Sequence, residues 1–284
     1  MSNPDVMSWE DAVNWLISQP DQKDLVNACY FDRPVIDALK RYANSAEWKA
    51  LKNYIPQKSG EAFDLGAGNG IVSYALAKDG WKVTALEPDA SNFVGAGAIQ
   101  AVADSEDVHI EVLREWGESI SCADDRFDIV MARQVMHHAR DLNLMFKEMS
   151  RILRPGGTLI AFRDHIVDSD EGLEIFKNEH PLHKLYGGEN AFRLEQYING
   201  IEEAGLTIVE TIHHFDSVIN YAPRSQKDVT NEVAARLKLP LAVGAAKILF
   251  MLPLMSEIVM KLASHAYRTK QGRLVSFICK KPGD

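Results

Sequence analysis

The sequence predicts an α/β fold: a doubly wound, mostly parallel sheet of seven strands. An N-terminal helical cap precedes the sheet and a helical insertion comes before the last strand. Three observations carry this. Short apolar runs alternate with helix-length segments from residue 61 onward. The runs "FDIVMA", "GTLIAF" and "LTIVETI" are largely continuous, as strands covered on both faces require. Glycines at alternate positions follow the first run, where a strand should turn into a helix.

Taken in order, Ser8 to about Ile55 reads as helix, with Trp9, Val13, Leu16 and Ile17 at helical spacing, and again Val35, Ile36, Leu39, Tyr42 and Ala43 after Pro34. The polar run "PQKSG" sets a boundary near Gly60, so residues 1–60 are expected to form the cap. Strands are expected at Ala62 to Leu65, Lys82 to Glu87, Val108 to Leu113, Phe127 to Ala132, Gly157 to Phe162, Leu206 to His213 and Arg273 to Lys280. Helices are expected near Ile71 to Lys78, Asn92 to Ala103 and Leu142 to Leu153. Residues 61–215 then make the core, 216–272 a helical lid, and 273–284 the returning final strand. There is no internal repeat.

The chain of 284 residues is 46% hydrophobic and 25% charged, which suits a globular protein with one substantial core and an appendage. Its formal charge of -9, with no run of like charges, lacks the electrostatic footprint of a nucleic-acid binder and favours a small-molecule partner. Cys29, Cys122 and Cys279 show neither disulfide-framework nor zinc spacing, so a reducing, cytoplasmic setting is expected. The N-terminus has no secretory pattern. The apolar segment 239–263 is interrupted by Lys247, Glu257, Lys261 and two prolines, short of the roughly 20 residues a spanning helix needs. It reads either as a buried or lid helix pair or as a transient contact with a membrane surface or lipid. Nothing in the sequence fixes an oligomeric state.

The stretch "EAFDLGAGNG", Glu61 to Gly70, carries the ligand argument. Gly66 and Gly68 can adopt positive φ and let a ligand press on their backbone, and the helix starting near Asn69 aims free N–H groups at the same place. A dinucleotide fingerprint would need a small residue where Ile71 stands. Glu87 closes the next strand about twenty residues on, where an acid meets ribose hydroxyls. A nucleoside without a pyrophosphate is the expected ligand.

On "FDLGAGNG", "TALEPD", "FDIVMARQVMHHA" and "ILRPGGTLIAF", in that order, the sequence resembles the class I S-adenosylmethionine-dependent methyltransferases, a Rossmann-like family. The resemblance implies S-adenosyl-L-methionine as cofactor, and a last strand, Arg273 to Lys280, that runs antiparallel and pairs with the sixth. It further implies that Asp64 and the turn with Gly66, Ala67, Gly68 and Gly70 hold its amino-acid end, and that Glu87, beside Pro88, takes the ribose. It places Trp116 and Gly117 against the adenine, Trp116 standing where many relatives carry an aspartate, and Ala132 and Arg133 along the same pocket.

A base helps methyl transfer when the acceptor is a weak acid such as a hydroxyl. His137, His138 and His165, at the ends of the fourth and fifth strands, are the candidates; packing, capping or surface ion pairing are the plainer alternatives. Arg163 and Asp164 share that edge with His165 and could bind the acceptor, with surface ion pairing the plainer alternative. The segment "EHPLHKLYGGENAF" offers His180, His183, Tyr186 and Glu189 as acceptor-site residues, against a loop held by its own hydrogen bonds. Tyr30, next to Phe31 in the cap, could shield a sulfonium or simply pack. The pairs His180/His183 and His213/His214 lack metal-site spacing, so no metal is expected.

The function expected is methylation of a small molecule, at oxygen before nitrogen or carbon, with a lipophilic acceptor suggested by the apolar lid. The alternatives are an NAD(P)-dependent oxidoreductase on the same kind of turn and a methyltransferase-like module that binds without catalysis.

Overall fold

The computed structural model describes residues 7–179, 181–186, 190–236 and 253–283. Four helices lead: α1 (Trp9–Ser18), α2 (Lys23–Ala28), α3 (Val35–Ala43) and α4 (Ala46–Leu51). Serine caps start two of them, Ser8 accepting from Asp11 N at 3.1 Å and Ser45 from Trp48 N at 3.0 Å. Then β1 (Glu61–Leu65), α5 (Ile71–Lys78), β2 (Lys82–Leu86), α6 (Ala96–Glu106), β3 (Ile110–Leu113), β4 (Phe127–Arg133), α7 (Leu142–Ile152) and β5 (Leu153–Val167) alternate. After β5 come α8 (Asp170–Glu179), α9 (Pro181–Tyr186), the two-residue β6 (Phe192–Arg193), α10 (Leu194–Glu203) and β7 (Thr207–Ile212). The insertion holds α11 (Val218–Tyr221), α12 (Gln226–Arg236) and α13 (Pro253–Tyr267), and β8 (Arg273–Lys280) completes the sheet.

The strand order is β3-β2-β1-β4-β5-β8-β7, with β6 pairing β5 to one side. All pairings are parallel except those of β8, which runs antiparallel to both β5 and β7. The order reverses between β1 and β4, which opens a crevice at the carboxyl ends of those strands. Cores lie on both faces. One packs Tyr42, Trp48 and Leu51 of the cap with Ile129, Met131 and Ile160 of the sheet, so α3 and α4 share the core of the strands they cover. The other joins Phe63, Phe127 and Phe277 to Phe146 and Tyr197 on α7 and α10. Above the crevice α9 closes on α1, with Leu182 against Ala12 and Leu16 and Met7 N donating to Leu185 O at 3.0 Å.

The seven expected strands form the continuous sheet, and the two-residue β6, too short to leave a periodic signal, pairs β5 off that path. Two expected boundaries need correction. The helix expected from Asn92 starts at Ala96, because Ser91 draws the amides of Phe93 and Val94 into a turn, each at 3.0 Å. The fifth strand does not end at Phe162. Val275, Leu274 and Arg273 of β8 pair with Asp164, His165 and Ile166, carrying β5 on to Val167 across a bulge where Arg163 has φ 63°. Of the apolar segment, residues 239–252 lie outside the described residues; the remainder is in α13, whose Val259, Met260 and Ala263 are buried while Ile258 and Leu262 are exposed. Among the described residues, no helix is long and apolar enough to cross a membrane.

Candidate functional site

The turn after β1 is locked to the end of β2. Gly68, at φ 55°, donates its N–H to Glu87 Oε2 at 2.8 Å, and Glu87 Oε1 accepts from Asp89 N at 2.9 Å. A side chain on Gly66, at φ 63°, would run into Val135, so the turn presses against the loop after β4. A Cβ on Gly68 would meet nothing within 4 Å: that face of the turn is open. Gly70 caps α5 in the left-handed region at φ 88°. Between them Asn69 donates from Nδ2 to Tyr30 O at 2.8 Å, tying the turn to the cap.

Two buried acids flank this turn. Asp64, 1% exposed, accepts from Ser73 Oγ at 2.6 Å, and burial still pushes its carboxyl up to about 7 against that hydrogen bond, with Glu87 adding to the rise. Burial also raises Glu87, against the amides of Asp89 and Gly68. Among the described residues neither acid hydrogen-bonds a basic side chain. Neither is therefore neutralised by a cation among those residues: Asp64 holds the Ser73 hydroxyl and Glu87 two amides. An ammonium group and a pair of ribose hydroxyls, the polar ends of an adenosyl amino acid, are the donors this pair can take, and the open face of Gly68 gives them room. A diphosphate fits poorly, because two acids face it and the Gly68 amide is already used.

The other side of the crevice comes from β4 and β5. After Arg133 the chain turns through Gln134, at φ 52°, into a 3-10 turn, Met136–His138. His137 is 3% exposed, and its N–H and Nδ1 reach Asp164 Oδ1 at 3.2 and 2.9 Å. Rings gather around it: His138 at 4.1 Å and His165 at 5.1 Å between centroids. His165 Nδ1 lies 2.8 Å from Gly272 O, and its ring is 4.8 Å from Phe176, which His183 covers at 4.8 Å. Tyr186 Oη is 3.2 Å from His138 Nδ1, while its ring packs on Trp9 at 4.8 Å.

Sequence reasoning thus brought His137, His138, His165, His183 and Tyr186 to one place; His180 and Glu189 lie outside the described residues. Asp164 is fully buried, with Oδ1 on the His137 ring and not in a surface ion pair. The Tyr30 ring is 3% exposed, edge-on to Tyr42 at 5.3 Å, and the link it makes to the glycine turn is its carbonyl. Trp116 is 55% exposed with the Arg140 guanidinium 4.3 Å from its ring, and Gly117 is fitted between Leu65 and Met145. Pro88 follows Glu87 at the rim, and Ala132 is buried at the end of β4. His214, of the pair considered for a metal, stacks on Tyr267 at 5.0 Å and accepts from Leu274 N at 2.9 Å. Among the described residues no cluster of His, Cys, Asp or Glu could hold a metal ion.

Reasoning from the sequence missed Glu47. This α4 residue is 0% exposed and takes Arg133 Nε at 2.8 Å and an Arg163 Nη1 at 3.2 Å. Burial alone would raise its pKa, but the two guanidiniums outweigh burial and hold it below the usual range. Ser73 was missed too, though a hydroxyl one turn into the helix after a glycine turn is a readable signal.

Residues 63–161 match the family model described as a methyltransferase domain. A ubiquinone biosynthesis O-methyltransferase from Methylobacterium sp. (strain 4-46) is 30% identical over 152 residues, covering 52% of this chain and 60% of the relative. Another, from Methylobacterium nodulans, is 29% identical over 161 residues, covering 55% and 64%. The chain therefore spans under two thirds of the length of these relatives. A solved geranyl diphosphate C-methyltransferase from Streptomyces coelicolor A3(2), with geranyl diphosphate and S-adenosyl-L-homocysteine bound, superposes with TM-score 0.59 at 13% identity, over 96% of this chain and 97% of its own.

Proposed function

We propose that this chain, whose residues 63–161 match a methyltransferase domain model, is a class I S-adenosylmethionine-dependent methyltransferase that methylates an oxygen of a small, lipophilic acceptor. The observation that carries the reading is the open face of Gly68 between Glu87 and Asp64. When bound, S-adenosylmethionine supplies a methyl carbon activated by the adjoining sulfonium. What the chain supplies is placement and exclusion of water. Glu87, each oxygen holding one amide, keeps acceptor capacity for ribose hydroxyls. Asp64, with Ala67, Gly70 and the main chain near Ala132, takes the amino-acid end, and the exposed Trp116 indole offers a stacking face for adenine.

On the acceptor side, His137 is the base. Its Nδ1, 2.9 Å from Asp164 Oδ1, fixes the orientation of the imidazole that receives the proton of the acceptor. His138, His165, His183 and Tyr186 border the space where the acceptor hydroxyl would sit. The O-methyltransferase relatives support oxygen, and a phenolic hydroxyl suits an imidazole base. The three free thiols support a reducing, cytoplasmic setting.

Two measurements on the full chain test this. Calorimetry should detect S-adenosylhomocysteine binding; none by folded protein ends the proposal. Transfer of labelled methyl should favour a catechol carrying an alkyl tail over an alkylamine of equal size, and the reverse preference would remove oxygen as the site.

A further inference from the structure

A cavity of about 530 Å³ opens between the end of α3, the start of α4 and the turn after α11. The charged residues lining it, Lys40, Arg41 and Arg224, are all basic, on a chain whose formal charge is -9. Their acidic partners Glu106, Asp32 and Glu232 do not line it. Lys40 gives one donor to Glu106 at 2.8 Å, leaving the others of its ammonium for the cavity. Tyr30 and Pro223 add apolar wall and Asn44 a neutral polar group. The volume is that of a pocket for a small organic molecule.

Tyr30 joins this cavity to the rest of the site. Its ring centre lies 5.0 Å from the Arg41 guanidinium and 5.7 Å from that of Arg133. Arg133 and Arg163 share the single carboxylate of Glu47 in a buried cluster, and Arg163 Nε has no hydrogen-bond partner among the described residues. Two guanidiniums on one carboxylate leave an excess positive charge in low dielectric next to the pocket. Tyr30 O, in turn, holds Asn69 of the glycine turn.

We propose that this cavity binds a small organic anion with an apolar body, a monocarboxylate of about benzoate size, and that occupancy is coupled through Tyr30 and Asn69 to the cofactor seat. The anion site stands on its own geometry; the coupling rests on the methyltransferase reading.

The test is calorimetry on the full chain with benzoate, with benzamide as its neutral counterpart, each with and without S-adenosylhomocysteine. Benzoate should bind with Kd of about 1 mM or tighter and benzamide at least tenfold more weakly, roughly the loss of a charge-assisted contact. The variant Lys40→Ala/Arg224→Ala should lose about tenfold in benzoate affinity. Its melting temperature and benzoate-free affinity for S-adenosylhomocysteine should stay unchanged. Saturating benzoate should shift S-adenosylhomocysteine affinity several-fold, and the reverse titration should give the same factor. Equal binding of benzoate and benzamide, an unaffected double variant, or S-adenosylhomocysteine affinity indifferent to benzoate would overturn the proposal. The benzoate-free titration reports separately on the cofactor seat, so failure there is distinguishable from failure of the anion site.

Discussion

Cofactor affinity should depend on pH through Asp64. Buried beside Glu87, its carboxyl is pushed from 3.8 up to about 7, so in the free protein near pH 5 it is almost wholly protonated. An ammonium ligand prefers the carboxylate, and binding must then expel the proton. Two units below the midpoint this weakens binding about 100-fold, or about 2.7 kcal/mol. S-adenosylhomocysteine affinity measured by calorimetry should therefore rise about tenfold per pH unit from 5 to 7 and level off above. Stability of the free protein runs the other way. The folded pKa is raised above the unfolded one, so the native state binds more protons in the window from about 4 to about 7 and stability falls as pH rises through it, by on the order of 4 kcal/mol. Asp64→Asn should abolish both slopes, bind the ligand weakly at every pH, and melt higher than the parent at pH 8. A flat affinity profile in the parent, or an unchanged slope in Asp64→Asn, would refute the assignment.

Gly68→Val should cost about 1–2 kcal/mol for a branched residue at positive φ, seen in a urea titration, yet lose more than about tenfold in adenosyl-ligand affinity because its side chain fills the open face. Glu47→Gln leaves two buried guanidiniums without a carboxylate and should lower stability by about 3–5 kcal/mol, with a matching drop in the denaturation midpoint. Asp164→Asn should lower kcat about 100-fold or more with little change in KM and displace the acidic limb of the pH-rate profile, whereas a merely structural role would leave that limb in place. Trp116→Ala, at an exposed position, should alter stability by no more than about 0.5 kcal/mol, so weakened cofactor binding would report directly on adenine stacking.

What could be read in advance was what backbone geometry dictates locally. Gly66, Gly68 and Gly70 all take positive φ, and Glu87 directly follows its strand within reach of the turn; only a few residue types satisfy such demands, so the sequence displays them. The succession of strands along the chain followed from the alternation of short apolar runs and helices. The role of Glu47 was hidden, because in "SAEWKAL" it looks like any solvent-facing helix acid, and its burial depends on arginines 86 and more residues away in sequence. The reach of β5 past Phe162 was hidden for a related reason. Arg163, Asp164 and His165 are polar enough to end a strand, and they continue one only because β8 arrives to pair with them. His137 was found as a candidate, while its partner Asp164 was assigned to the acceptor, since nothing local reveals which way a carboxylate turns.

The strand that β8 supplies sits between β5 and β7, and β7 bonds to no other strand among those described. A nascent chain on the ribosome can assemble β1 through β5 in order of synthesis, but β7 must wait with both edges bare until residue 280 has emerged. During that interval β7 and the far edge of β5 are open to pairing with a neighbouring chain. Any truncation that removes Arg273 to Lys280 would make that vulnerable interval permanent.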